Sequence, residues 1–332
     1  MKIGIIGFGA IGFDVAKKLD KEKDQFNVIG AHSRTKNKII EKSKLFNSPL
    51  KYLELDEICK ICDLVIDCAP KEAFKEIVQK CFSYKTKLIT VSGAGILENL
   101  QLINKAREHS TQIFLASGAI IGLDGLSAVS EGKVDYVKMI TRKPPNALIK
   151  AKFVLENNIK LNNLNEPKLI FSGNAFEGAK AFPANVNVAA AVGLAGVGAK
   201  KTQLEIWADP NLSKNTHSIL VKSDSSNFKI EIENIQSEEN PGTGKITALS
   251  VVASLRGIMS SLKVGTWNYL AYCLQFKMMD PITFISLLYK ITIFSPQINT
   301  NTVVNEINQK SRTEIIELYR STMTNDNKMH QY

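Results

Sequence analysis

Near the start of the chain, Gly7-Phe8-Gly9-Ala10-Ile11-Gly12 follows an apolar stretch and opens a stretch with helical spacing. In that setting a G-x-G-x-x-G pattern gives each glycine a separate task. The first permits a tight turn, the second lets backbone approach a pyrophosphate, and the third lets helix and strand pack closely. The pyrophosphate rests on unpaired N–H groups at the helix's positive end, which brings Ala10 and Ile11 into the turn. The chemistry indicated is dinucleotide binding; a plain glycine turn in an α/β protein is the competing reading.

A turn of this kind that takes NAD carries an acidic side chain roughly 20 residues further on, where it holds the adenosine ribose. This chain offers Ala31-His32-Ser33-Arg34-Thr35 there. A carboxylate would repel a 2′-phosphate, whereas Ser33 and Thr35 place two hydroxyls around the Arg34 guanidinium. The expectation is NADP, or NADP accepted beside NAD. The plainer alternative leaves Arg34 as a solvated loop residue.

Of the four histidines, His32 lies in this loop, His109 ends a helical stretch and His330 lies near the C-terminus. His217 follows the polar stretch ADPNLSKNT and begins a strand-like run. A histidine at a strand mouth can move protons near neutral pH, although on position alone a surface loop residue is the better reading. The five cysteines include Cys59-Lys60-Ile61-Cys62, but no second pair or His-x-x-x-His completes a zinc site. They read as reduced thiols, packed or at the surface, and no metal is expected.

The elements that must position these groups change character along the chain. Over the first 116 residues, the apolar runs Lys2–Ile6, Phe26–Gly30, Asp63–Cys68, Leu88–Val91 and Gln112–Leu115 are short and nearly continuous. Strands buried on both faces read this way. Between them, Ala10–Leu19, Lys71–Phe82 and Leu97–His109 have helical spacing. The alternation predicts an N-terminal Rossmann-type, doubly wound parallel sheet. Later, VDYVKMITRKPP reads as a strand stopped by Pro144-Pro145. Asn185–Ala199 is a helix of small residues that would let another backbone approach closely. Thr202–Ala208, His217–Lys222 and Phe228–Ile235 alternate apolar and polar residues, as in a sheet with one open face. Ile246–Leu262 is helical again.

The domains expected are a dinucleotide-binding unit at 1–118 completed by 245–266, and a smaller mixed α/β catalytic unit at 119–244. Residues 267–332 form a helical extension, read as packed on the core or a partner subunit rather than on a membrane.

The chain has 332 residues and a net charge of +10. Its lysines are scattered without a five-residue basic run, which argues against nucleic acid and for a solvated surface favouring anionic small molecules. No signal-like segment or membrane-spanning apolar run is evident, so the cytoplasm is the expected location.

Several stretches in order, from Gly7–Gly12 to Val264–Thr266, resemble the L-aspartate dehydrogenase family. They include SGAIIGLDGL (117–126), TRKPP (141–145), FPANVNVAAAVGLAGVG (182–198), ADPNLSKNTH (208–217) and NPGTGKITALS (240–250). The resemblance implies that His217 is the catalytic acid/base. It also implies that Ala119 binds the nicotinamide end through its backbone and Asn187 through its side chain. Ala119 ends the last Rossmann-type strand, where open α/β sheets bind ligands. Asn185 and Asn187, at the start of a helix, also fit simple capping.

The reaction implied is reversible oxidative deamination of L-aspartate through iminosuccinate to oxaloacetate and ammonia, in a homodimer, with iminosuccinate available to NAD biosynthesis. For a dicarboxylate substrate, Arg142 and Lys143 are the cationic candidates. Two competing readings are another two-domain reductase of the dihydrodipicolinate-reductase or homoserine-dehydrogenase type, and a non-catalytic dinucleotide sensor.

Overall fold

β1 (Lys2–Ile6) is buried from Ile3 onward, and Gly7 then turns the chain at φ +87°, a conformation glycine adopts freely. The turn leads directly into α1 (Ala10–Asp20). The computed structural model describes residues 1–22, 25–182, 186–237 and 243–265. The stretch from Trp267, expected to be a helical extension, lies outside the described residues.

The N-terminal sheet also contains β2 (Asn27–His32), β3 (Lys51–Tyr52), β4 (Leu64–Asp67), β5 (Lys87–Thr90) and β6 (Ile113–Leu115). All pairings are parallel, in the order β3-β2-β1-β4-β5-β6. The order reverses between β1 and β4, and ligands of open parallel sheets bind beyond the strand ends at that point.

Helices cover both faces of this sheet, which is why its strands are continuously apolar. On one face, α2 (Lys36–Ser43) places Ile39 with Phe13, Val15 and Leu19 of α1 against Ile3, Ile5 and Ile66. On the other, α3 (Leu55–Ile61) and α4 (Phe74–Tyr84) bury Ile58, Cys59, Ile77 and Cys81 against Val65 and Leu88. Cys59, Cys62 and Cys81 are buried thiols and Cys68 is half-buried. The helix expected over Leu97–His109 begins earlier and is broken at Asn99 into α5 (Gly93–Glu98) and α6 (Leu100–Lys105). Ser92 starts α5 by accepting a hydrogen bond from Gly95 N.

The second sheet follows α7 (Leu123–Val129) and consists of β7 (Val134–Lys143), β8 (Lys168–Asn174), β9 (Thr202–Ala208), β10 (Thr216–Ser223) and β11 (Asn227–Glu233). Its order is β11-β10-β7-β9-β8, with β7 and β9 parallel and the other pairs antiparallel. α8 (Lys152–Glu156), α9 (Ala175–Ala181) and α10 (Val186–Ala195) share a core with Val137, Met139, Leu204, Ile206, Ile219 and Val221. β8, α8 and α9 have no counterpart in the sequence-based expectations. α9 is announced only by a local capping box, Asn174 with Glu177.

The small residues of α10 do admit a close neighbour. A Cβ on Gly93 of α5 would lie 2.9 Å from the Ala190 Cβ and 3.0 Å from the Asn187 carbonyl oxygen. α11 (Ile246–Met259) returns to the first sheet, where Ala248, Val251 and Leu255 join the core of α1. No described helix is long and apolar enough to cross a membrane.

Candidate active site

The glycine turn has the shape its spacing requires. A Cβ on Gly12 would lie 2.0 Å from the Gly7 carbonyl oxygen, so helix and strand can approach only without a side chain there. At Gly9 a Cβ would meet nothing within 4 Å, which leaves that face of the turn open. α1 has no acidic residue in its first turn and no side-chain cap, so Ala10 and Ile11 offer backbone N–H groups in an electropositive setting. The residues present therefore fit a pyrophosphate.

At the end of β2, His32 Nδ1 donates to the Leu53 carbonyl at 2.9 Å, and its ring lies beside Tyr52. Beyond it, Ser33 Oγ accepts from Thr35 N at 3.3 Å, while Arg34 and Thr35 are exposed just before α2 begins. Among the described residues, no acidic side chain occupies the first turn of α2.

Asp67, unremarked in the sequence reading, is buried at the end of β4, on the sheet's reversal point. Burial raises its carboxyl to about 6, against the hydrogen bonds it accepts. Those come from Ala69 N at 2.9 Å and Thr90 Oγ1 at 2.8 Å. Thr90 Oγ1 in turn accepts from Ser92 N, the residue that caps α5. One carboxyl thus joins the loops after β4 and β5. An acidic residue ending an otherwise apolar parallel strand is the signal that could have singled it out.

The second sheet contributes His217. It lies opposite Thr141 of β7 and Ile232 of β11, and all three are buried. His217 Nδ1 is 3.0 Å from Thr141 Oγ1. Burial, assisted by the charge of Lys143, lowers the imidazole to about 4. Lys143, two residues beyond Thr141 and hence on the same face, is also buried, and burial lowers its ammonium to about 8. Depressed values on neighbouring groups are characteristic of sites that handle protons and anions.

Arg142 is not brought to this face. It projects to the other side of β7, where its guanidinium lies 4.9 Å from the centre of the Trp207 ring and Nη1 is 3.4 Å from Asp209 Oδ2. Alternation along a strand separates these adjacent cations.

Ala119 and Asn187 come between the glycine turn and β10 in the order of the chain. Gly118 adopts φ +65° and donates its N–H to Ser250 Oγ of α11 at 3.0 Å. The Ala119 carbonyl accepts from Asn234 Nδ2 at 3.4 Å. Asn187, in the first turn of α10, accepts from Ala94 N at 3.1 Å through Oδ1. Its Nδ2 remains the donor side of the amide. Asn185 lies outside the described residues.

A family model for the C-terminal region of aspartate dehydrogenases matches residues 124–258. A model for the NAD-binding domain of homoserine dehydrogenases matches residues 7–116. The L-aspartate dehydrogenase of Bradyrhizobium diazoefficiens is 40% identical over 267 residues, covering 80% of this chain and 94% of that protein. The chain belongs to the L-aspartate dehydrogenase family. Another similar member, L-aspartate dehydrogenase 3 of Bordetella bronchiseptica, is 39% identical over 80% of this chain and 97% of its own. The crystal structure of the aspartate dehydrogenase from Thermotoga maritima matches with a TM-score of 0.63 and 28% identity, covering 80% of this chain and 99% of that one.

Proposed function

We propose that this member of the L-aspartate dehydrogenase family oxidises L-aspartate reversibly, giving iminosuccinate and then oxaloacetate and ammonia. The observation that carries the reading is His217, buried and held below its usual basicity on one face with Lys143. The dinucleotide would be held by Gly7, Gly9, Ala10, Ile11 and Gly12 at its pyrophosphate, and by Ala119 and Asn187 at its nicotinamide end. When bound, the dinucleotide would supply the acceptor for the hydride that leaves the substrate Cα.

Lys143 supplies the positive charge for a substrate carboxylate. Arg142, on the far face of β7, serves instead to hold Asp209 and the loop that leads to His217. A neutral His217 is suited to accept a proton from the substrate ammonium, or from water attacking iminosuccinate. That role requires the tautomer in which Nδ1 donates to Thr141 and Nε2 carries the lone pair. Asn187 already spends its oxygen on Ala94, so its Nδ2 is the group available to a carboxamide oxygen.

The cofactor preference follows from Ser33, Arg34 and Thr35, which offer a cation and two hydroxyls to a 2′-phosphate at the start of α2. We read the enzyme as preferring NADP. We also read residues 1–118 with 245–266 as the dinucleotide-binding unit and 119–244 as the catalytic unit, in a cytoplasmic homodimer whose iminosuccinate can enter NAD synthesis.

Purified full-length protein is assayed with L-aspartate, and with oxaloacetate plus ammonium, using both NAD and NADP couples. Turnover is expected, with the higher kcat/KM for the NADP couple. His217→Asn should lower kcat by about 100-fold or more while cofactor affinity is unchanged. Absence of turnover in the native protein, or undiminished turnover in the variant, overturns the reading; a strong NAD preference overturns the cofactor assignment alone.

A further inference from the structure

We infer that Asn215 reads the amino group of the substrate, its side-chain oxygen accepting a hydrogen bond from the α-nitrogen of L-aspartate and so fixing that nitrogen beside His217. The inference rests on the function proposed above and adds a specificity-determining residue to it.

The first observation is an orphan. Asn215 Oδ1 is buried and has no hydrogen-bond partner among the described residues. Buried polar atoms are nearly always satisfied, so an unpaired acceptor beside a reacting histidine marks a place for a donor that arrives with a ligand.

The second is its position in the sheet. Thr216 lies opposite Arg142 on one side and Glu233 on the other. One step further, Asn215 comes level with Lys143 and Asn234, and Asn234 N donates to the Asn215 carbonyl at 3.2 Å. Side chains alternate along strands, so this row continues the face that carries Thr141, His217 and Ile232. Asn234 also donates through Nδ2 to the Ala119 carbonyl. Asn215 is therefore one hydrogen-bonded residue away from the segment assigned to the nicotinamide end.

The third is chemical fit. An amide oxygen accepts hydrogen bonds and repels carboxylate oxygens, so it cannot serve either acidic group of the substrate. The α-nitrogen carries N–H groups as ammonium, as amine and as imine. Lys143 complements it, since an ammonium suits a carboxylate. In the oxidation, the ammonium first gives one proton to His217. With a bound dinucleotide as the two-electron acceptor, departure of the Cα hydrogen with its electron pair would let the nitrogen lone pair close the C=N bond. The hydrogen donated to Asn215 stays on nitrogen throughout, so the contact orients the lone pair without taking part in proton transfer.

The test compares L-aspartate with succinate, the same dicarboxylate lacking the nitrogen, in the full-length enzyme. For Asn215→Leu, kcat/KM for L-aspartate should fall by roughly 10- to 100-fold. The succinate inhibition constant and the cofactor KM should stay within about twofold, because leucine keeps nearly the same volume and, on this assignment, neither ligand offers a donor to the lost oxygen. Equal weakening of both ligands, or no change in either, overturns the inference. Asn215→Asp supplies an independent check should the leucine variant not fold. A carboxylate acceptor holds an ammonium more strongly, so the preference for aspartate over succinate should rise, and a preference that falls or stays level overturns the inference. Native protein that does not oxidise L-aspartate removes the functional reading and this inference together; an active native enzyme with an indifferent Asn215→Leu variant removes the inference alone.

Discussion

Lys143 and His217 are ionisable groups whose charged forms are penalised by the same buried sheet face. Their signs set the pH behaviour of ligand binding. The Lys143 ammonium, proposed above to attract a dicarboxylate, is present below about 8 and is lost as pH rises through that value. The inhibition constant of succinate should therefore be flat at neutral pH and rise about tenfold per pH unit above the break. Lys143→Met should weaken succinate at neutral pH and abolish the break. A break that survives in the variant would assign the titration to another group. At this scale His217 could be singled out as a candidate only because the stretch before it resembles the family's, since position alone favoured a surface loop residue. The difference between Arg142 and Lys143 was not, because adjacent residues in a strand face opposite ways and only the pairing with β10 tells which face holds His217.

The glycine turn shows how one element separates packing from binding. Gly12→Ala puts a methyl group against backbone that cannot move aside, the Gly7 carbonyl 2.0 Å away. It should lower the Tm of the free protein by several degrees, for a cost of about 1–3 kcal/mol. Gly9→Ala meets nothing within 4 Å and should leave Tm within about one degree while weakening dinucleotide binding roughly tenfold or more. Thermal unfolding and cofactor titration of the two variants check both halves. Equal losses of stability would show that the open face of Gly9 is filled by the protein itself. The continuous apolar run of β1, the helical spacing of α1 and the alternation of β9 and β11 were readable from the sequence alone. β3, with two residues, and α5, starting at Gly93, were not. Their existence depends on neighbours, an edge pairing with β2 in one case and contact with α10 in the other.

For the whole molecule, the second sheet leaves a surface to be explained. Helices pack on its Met139 and Thr141 side, whereas Tyr136, Ile140 and Trp207 lie on the side away from His217 and are half-buried or exposed among the described residues. Charged groups share that side, Lys138 paired with Glu205 and Arg142 beside Trp207, and a mixed face of this kind fits the proposed homodimer. Sedimentation should give twice the chain mass, and Ile140→Asp should shift the protein to monomer without changing the cofactor affinity of the N-terminal sheet. A monomeric native protein would exclude that interface. The two sheets also divide what can be read in advance. The sequence by itself determined the dinucleotide turn and the parallel sheet, because each rests on spacing within a continuous segment, and the order of its motifs carried the resemblance to the family. Only the tertiary structure decided that Asp67 joins two loops, that Lys143 rather than Arg142 shares a face with His217, and that Asn215 carries an orphaned oxygen. Those facts depend on strand register and burial, which bring together residues from distant segments.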